Sequence, residues 1–230
     1  ISLLYKNFGI REIQIEDDNF IFKKETVKRI CNEILKQKLK LKWSCPNGIR
    51  LENLDSELLR LMETSGCYSF SVGIESGCQR ILNMIRKNLD LELIKEQLKL
   101  VKNNTKIKVA GFFIVGFPDE TIQEIEKTIS FAKEICIDKA MFNCVLPYPG
   151  TKIGEEYSEK NSLHYSDFGF YNFFSINKRI STRKIKNLIR KAYLSFYLRP
   201  KVTLGVISEI KSYSQVKNII NRLFKIMYTR

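Results

Sequence analysis

Two kinds of apolar pattern alternate along the first 150 positions. Short runs that are apolar on both faces predict strands, and apolar residues three and four apart predict helices. Glu12 to Glu16 (E-I-Q-I-E) predicts a strand, and Val27, Ile30, Cys31, Ile34 and Leu35 follow at helical spacing. Leu41 to Cys45 predicts the next strand. Asp55 can cap a helix whose core side is Leu58, Leu59 and Met62, and Gly66 can end it. Tyr68 to Ile74 predicts a strand, followed by a short helix near Gln79–Met84 and a longer one from Leu91 to Lys102. Lys108 to Val115 predicts a buried strand. Thr121 and Glu124 have capping-box spacing ahead of a helix with Ile122, Ile125, Ile129 and Ala132 on one face. Lys139 to Leu146 predicts the last strand of this region, and Ile1 to Phe8 predicts the end of an earlier helix.

Strand–helix alternation implies a parallel sheet. Doubly wound and barrel folds remain equally compatible with this pattern. Beyond residue 155 the pattern changes. Residues 156–178 are rich in Tyr, Phe, Ser and Asn without a clear period. Two amphipathic helices are then predicted. The first carries Ile185, Leu188, Ile189, Ala192, Tyr193 and Phe196 behind a Ser181 cap and stops at Pro200. The second carries Val216, Ile219, Ile220, Leu223, Phe224 and Met227. The expected organisation is a body over 1–155 and a basic, mostly helical extension over 156–230.

Charge sharpens this division. The chain of 230 residues has a net charge of +14. Residues 1–177 hold 25 basic against 24 acidic side chains, while residues 178–230 hold 14 basic side chains against Glu209 alone. An electrostatic partner therefore belongs to the extension. Such helices suit an anionic membrane surface or nucleic acid. The preferred expectation is that their apolar faces pack on the body or on a missing domain. A hydrophobic share of 44% with no long apolar run predicts a folded domain without a membrane span. The six cysteines, at 31, 45, 67, 78, 136 and 144, include no C-x-x-C pair, and free thiols in a reducing cytoplasm are expected. Cys45, Cys78 and Cys144 lie on or just after strands, and core packing is their ordinary role.

Chemistry in parallel α/β folds gathers where strands end. The strand ends here read Asp17-Asp18-Asn19-Phe20, Gly48-Ile49-Arg50, Gly73-Ile74-Glu75-Ser76-Gly77, Gly116-Phe117-Pro118-Asp119-Glu120-Thr121 and Pro147-Tyr148-Pro149-Gly150-Thr151. This ordered set resembles the radical S-adenosylmethionine (SAM) superfamily, and most closely the branch that often carries an N-terminal cobalamin-binding domain. The resemblance covers about residues 9–155. It implies a partial (β/α)6-type TIM-like barrel that lacks its first strand, with a helical C-terminal extension. It also implies SAM and a 4Fe–4S cluster as cofactors, cobalamin in a longer protein, an electron donor, and a small or lipid-like substrate.

Residue by residue, Asp17 and Asp18 match the family's position for the SAM ammonium, with capping of the next helix as the alternative. Arg50 is placed to pair with the SAM carboxylate, or equally with a nearby acid. Glu75 and Ser76 match the position near the ribose. Ile114, Gly116, Phe117 and Pro118 match the adenine side, with Gly116 letting backbone approach the ring. Glu120 is read as a helix cap, and His164 as a surface residue. The family's C-x-x-x-C-x-x-C loop is absent, so no metal ligand is assigned. The chain is expected to be an N-terminally truncated fragment that does not turn over alone. Two further readings stand beside this one: a non-catalytic barrel that serves as a binding module, and an enzyme that modifies transfer RNA.

Overall fold

The structure, a computed structural model, describes residues 1–158 and 175–228. Five strands form one parallel sheet in the order β1-β2-β3-β4-β5. They are β1 (Glu12–Gln14), β2 (Lys42–Cys45), β3 (Cys67–Glu75), β4 (Lys108–Val115) and β5 (Lys139–Cys144). Glu12 pairs with Lys42, and Ser44 pairs with Ser69 beyond an irregularity at Trp43 and Ser44. The order follows the chain without reversal. That is the order of a barrel-type sheet, whereas a doubly wound sheet reverses at a switch point.

Parallel neighbours need crossovers, and helices supply them. After α1 (Ser2–Asn7) these are α2 (Lys24–Lys36), α3 (Ser56–Thr64), α4 (Gln79–Met84) with α5 (Leu91–Asn104), and α6 (Ile122–Glu134). Beyond β5 come α7 (Lys152–Ser158), α8 (Thr182–Tyr197), α9 (Pro200–Ser208) and α10 (Tyr213–Tyr228). The chain divides into two compact units, and the division cuts across three strands. The first holds Ile1–Ile74, Leu82–Phe112 and Glu134–Ala140. The second holds Glu75–Ile81, Phe113–Lys133 and the described residues from Met141 onward. The boundary expected after residue 155 falls inside the second unit.

In the first unit the core gathers on Trp43, whose indole N–H donates to Ser65 Oγ at 3.2 Å and whose ring meets Phe20 edge-on. Asp55 caps α3 by accepting from the Leu58 amide at 2.8 Å. Gly66 follows the Ser65 C-cap at φ +107°, and a Cβ there would lie 1.9 Å from the Leu41 carbonyl oxygen. The turn from α3 into β3 therefore works only with glycine. On α2, Val27, Cys31 and Ile34 are buried as the pattern predicts, while Leu35 faces solvent.

In the second unit Phe113 stacks on Phe142 at 5.1 Å, and Tyr193 and Phe196 of α8 meet Phe142 edge-on. The Phe142 amide donates to Tyr193 Oη at 3.1 Å, so α8 also satisfies a backbone donor of β5. Burial alternates along β4 and β5. Phe113, Val115, Phe142 and Cys144 are buried, whereas Ile114, Met141 and Asn143 on the opposite face stay half-exposed.

The extension departs from expectation in one place. Pro200 ends α8 but also opens α9 as its first residue, where a missing N–H costs nothing. The apolar face of α8 packs on the body, whereas that of α10 does not, and packing on a missing domain stays an expectation: Val216 and Ile219 are half-exposed, and Ile220, Leu223 and Phe224 are exposed. His164 and most of residues 156–178 lie outside the described residues. No helix among those described is long and apolar enough to cross a membrane.

Gly66→Ala is expected to cost at least about 2 kcal/mol in urea unfolding, because both the backbone conformation and the Leu41 carbonyl oppose a side chain. A change within about 0.5 kcal/mol would show that the turn is not held as described.

Candidate functional site

At the strand ends of the first unit, Asp17 and Asp18 are exposed. Asn47 Nδ2 donates to the Glu16 carbonyl at 2.7 Å and pins the turn just before them. Helix capping does not explain the two acids, since the N-cap of α2 is Lys23 and no side chain bonds there. Arg50 has a 68% exposed side chain and reaches Glu52 only loosely, at 3.9 Å. Its guanidinium is largely turned to solvent.

The second unit holds more construction. Glu75 ends β3 with φ +66°, a left-handed conformation that a non-glycine residue adopts at a cost of about 1–2 kcal/mol. Its side chain is half-exposed. Ser76, by contrast, is wholly buried. Its hydroxyl lies 3.0 Å from Thr128 Oγ1 on α6 and accepts from the Cys78 amide at 3.1 Å. The Gly77 amide donates to the same Thr128 hydroxyl, and a Cβ on Gly77 would collide with Phe131 Cβ at 2.4 Å. Ser76 is therefore corrected from a ribose ligand to part of the joint between strand end and α6. Glu75 alone of the pair presents a polar group.

The loop after β4 is folded around a carboxylate. Glu120 has no exposure, and its Oε2 accepts from the Gly116 amide at 2.6 Å and the Phe117 amide at 3.2 Å. Among the described residues its Oε1 meets no donor. Burial pushes the Glu120 carboxyl up to about 7, against the opposing pull of the two amides. The reading of Glu120 as a helix cap is thus corrected. The capping box of α6 is Thr121 and Glu124: the Thr121 amide donates to Glu124 Oε2 at 2.9 Å, and the Glu124 amide donates to Thr121 Oγ1 at 3.3 Å. Glu124 also takes Arg80 in a two-pronged ion pair, and that hydrogen-bonded guanidinium holds its carboxyl down at about 2.

A second buried group closes the loop from the other side. Asn177 Nδ2 donates to the Phe117 carbonyl at 2.6 Å and the Glu120 carbonyl at 2.7 Å. Its Oδ1 accepts from the Arg179 and Ile180 amides at 2.8 and 3.0 Å. Every donor and acceptor site of this amide is used. Gly116 has φ +86°, and a Cβ there would sit 2.8 Å from Ile185 Cδ1 of α8. The positive φ favours glycine here, and its close neighbour is Ile185 of α8. Phe117 is buried too and belongs to the core. Of the adenine-side candidates, Ile114 and Pro118 stay partly accessible.

Sequence reasoning missed Asn177 and Thr128, and placed Ile185 only on an apolar helix face. Each acts on residues at least 51 positions away, and only the buried asparagine in a basic segment is unusual in itself. Five cysteines are buried and Cys136 is exposed. Burial pushes Cys45 up to about 12 and Cys67 well above the usual thiol range. Among the described residues no three cysteine, histidine or acidic side chains are grouped to hold a metal. Dispersed thiols do not fit a 4Fe–4S cluster, which needs thiolates converging on one point.

The model of the Radical SAM superfamily matches residues 3–132. An uncharacterised methyltransferase of Pyrococcus horikoshii is 34% identical over 99% of this chain and 50% of its own length. Cytidylyl-2-hydroxyethylphosphonate methyltransferase of Streptomyces wedmorensis is 32% identical over 66% of this chain and 29% of its own. Among solved structures, TsrM of Kitasatospora setae is a radical S-adenosylmethionine methyltransferase seen with cobalamin and a 4Fe–4S cluster. It superposes with a TM-score of 0.58 at 16% identity, over 80% of this chain and 36% of its own. At that identity the likeness concerns the fold. The chain spans at most half the length of each of these proteins.

The buried carboxyl gives a signed expectation. A native-state value raised to about 7 means that folding takes up a proton, so stability falls as pH rises from about 4.5 to 7 and then levels. Glu120→Gln keeps an acceptor for the two amides and removes the titration. Relative to the wild type it is expected to gain stability across that window, by up to about 3 kcal/mol at pH 8 in urea unfolding. Parallel pH profiles for the two proteins would count against a buried, titrating Glu120.

Proposed function

This chain belongs to the radical SAM superfamily, and from that premise we propose that its second unit binds the nucleoside part of SAM. The observation that carries the reading is the braced loop Gly116–Glu120, fixed by Glu120 and Asn177 beside the half-exposed face of β4 and β5. Ile114 and Pro118 offer apolar surface to the adenine. Glu75 offers a carboxylate that can accept both ribose hydroxyls. Its left-handed backbone supports this reading, since such strain collects at functional positions. A braced loop suits a ligand whose groups must be held still, because no ordering cost is left for the moment of binding.

Taken by itself, the first unit offers exposed charged side chains that suit the two ends of an amino acid. Asp17 and Asp18 match an ammonium, and the solvent-facing guanidinium of Arg50 matches a carboxylate. In this superfamily SAM is the radical source and a 4Fe–4S cluster supplies the electron. The thiols of this chain do not fit that cluster, so no step of the chemistry is assigned to them.

For the whole protein we propose methyl transfer to a small molecule. The names of both curated relatives and of the solved neighbour support it.

The test is titration of the isotope-labelled chain with S-adenosylhomocysteine, followed by amide NMR. Saturable shifts are expected at Glu75, Ile114 and Gly116, with affinity reduced about tenfold in Glu75→Ala through loss of a charged hydrogen bond. Absence of shifts, or shifts elsewhere that Glu75→Ala leaves untouched, would overturn the nucleoside assignment.

A further inference from the structure

The segment after α8 combines two properties that a free surface rarely combines. It is strongly basic, and it exposes large apolar side chains. Leu198, Leu204 and Ile207 are 72%, 66% and 56% exposed, and on α10 Ile220 and Leu223 are 58% and 48% exposed. Between Lys211 and Lys225 there are four basic residues and no acid.

The sequence of α10 arranges these residues on a helix. At about 100° per residue, Val216, Ile219, Ile220 and Leu223 share one face. Lys217 and Arg222 fall on the two flanks of that face, and Lys225 falls at the back with Asn218 and Asn221. Flanking bases are placed to extend past an apolar stripe while their stems add to it.

We infer that α10 lies on an anionic phospholipid surface, with Ile219, Ile220 and Leu223 entering the boundary between headgroups and acyl chains. Charge complementarity selects the occupant. A bilayer supplies both a negative surface and an apolar layer beneath it, and α10 offers a match for each. A nucleic acid would use the bases but leave the isoleucines and leucine in water. A second copy of this chain would bring two basic surfaces together. The contact is peripheral, since no described helix can cross a membrane. It is also independent of the nucleoside site: neither Glu75 nor the Gly116–Glu120 loop takes part.

The experiment is co-sedimentation of the intact chain with phosphatidylcholine vesicles and with mixed phosphatidylcholine–phosphatidylglycerol vesicles. Binding is expected to the mixed vesicles only and to weaken as salt rises. Leu223→Gln is expected to lower the partition coefficient roughly tenfold. The double change Lys217→Gln, Arg222→Gln is expected to lower it roughly thirtyfold at low salt. Both variants alter exposed positions, so an unchanged melting temperature confirms that the fold is intact. Three results would overturn the inference: no vesicle binding by the wild type, vesicle binding that Leu223→Gln leaves unaltered, or a concentration-dependent dimer abolished by Leu223→Gln without vesicle binding. Retention on transfer RNA that needs the bases but not Leu223, again without vesicle binding, would assign the surface to nucleic acid instead.

Discussion

The second unit depends on a carboxylate with no access to water. A buried carboxyl that lacks partners costs several kcal/mol, and Glu120 offsets part of that cost with the amides of Gly116 and Phe117. Those amides cannot turn away without leaving the acid bare. The carbonyls of the same loop are held by Asn177, which in turn fixes the start of α8 through the Arg179 and Ile180 amides. Ile185 then fills the space that a side chain at Gly116 would need. The loop that presents the proposed nucleoside face and the segment that begins the basic extension are therefore one hydrogen-bonded construction. Neither can be reshaped alone.

Local chemistry made much of the fold legible. The bounds of β4 follow from a run of apolar residues ended by glycine, and the capping box at Thr121 and Glu124 forms as the spacing predicts. Gly66 sits where a helix C-terminus needs a left-handed residue. The strand-end motifs fall in loops as the pattern predicts, but several of their side chains have structural partners. Ser76 and Gly77 are spent on Thr128, Phe117 is core, and Glu120 binds its own loop rather than capping a helix. The missing information was long-range. Asn177 lies 57 and 60 residues from its two carbonyl partners, and periodicity carries no trace of such a bond.

The same limit applies to the extension. Its apolar spacing predicts two similar amphipathic helices, yet α8 buries its face against the Phe113–Phe142 stack while α10 keeps its face exposed. Amphipathicity states that a helix wants a partner; it does not name one. The aromatic pair on β4 and β5 makes the difference, because it gives α8 a flat apolar surface and Tyr193 a backbone donor to accept from. The thiols teach a related lesson. Cys45 lies on a strand where core packing is the ordinary role, and burial raises Cys45 and Cys67 out of the thiolate range and leaves them as small core residues.

Amide hydrogen exchange at Gly116 and Phe117 tests the central claim most directly, measured in the wild type and in Asn177→Asp. The substitution keeps acceptors for Arg179 and Ile180 but sets a carboxylate against two carbonyls. The account requires both amides to be strongly protected in the wild type and released in the variant before global unfolding. Rapid exchange in the wild type, or protection that survives the substitution, would mean that Glu120 and Asn177 do not hold this loop.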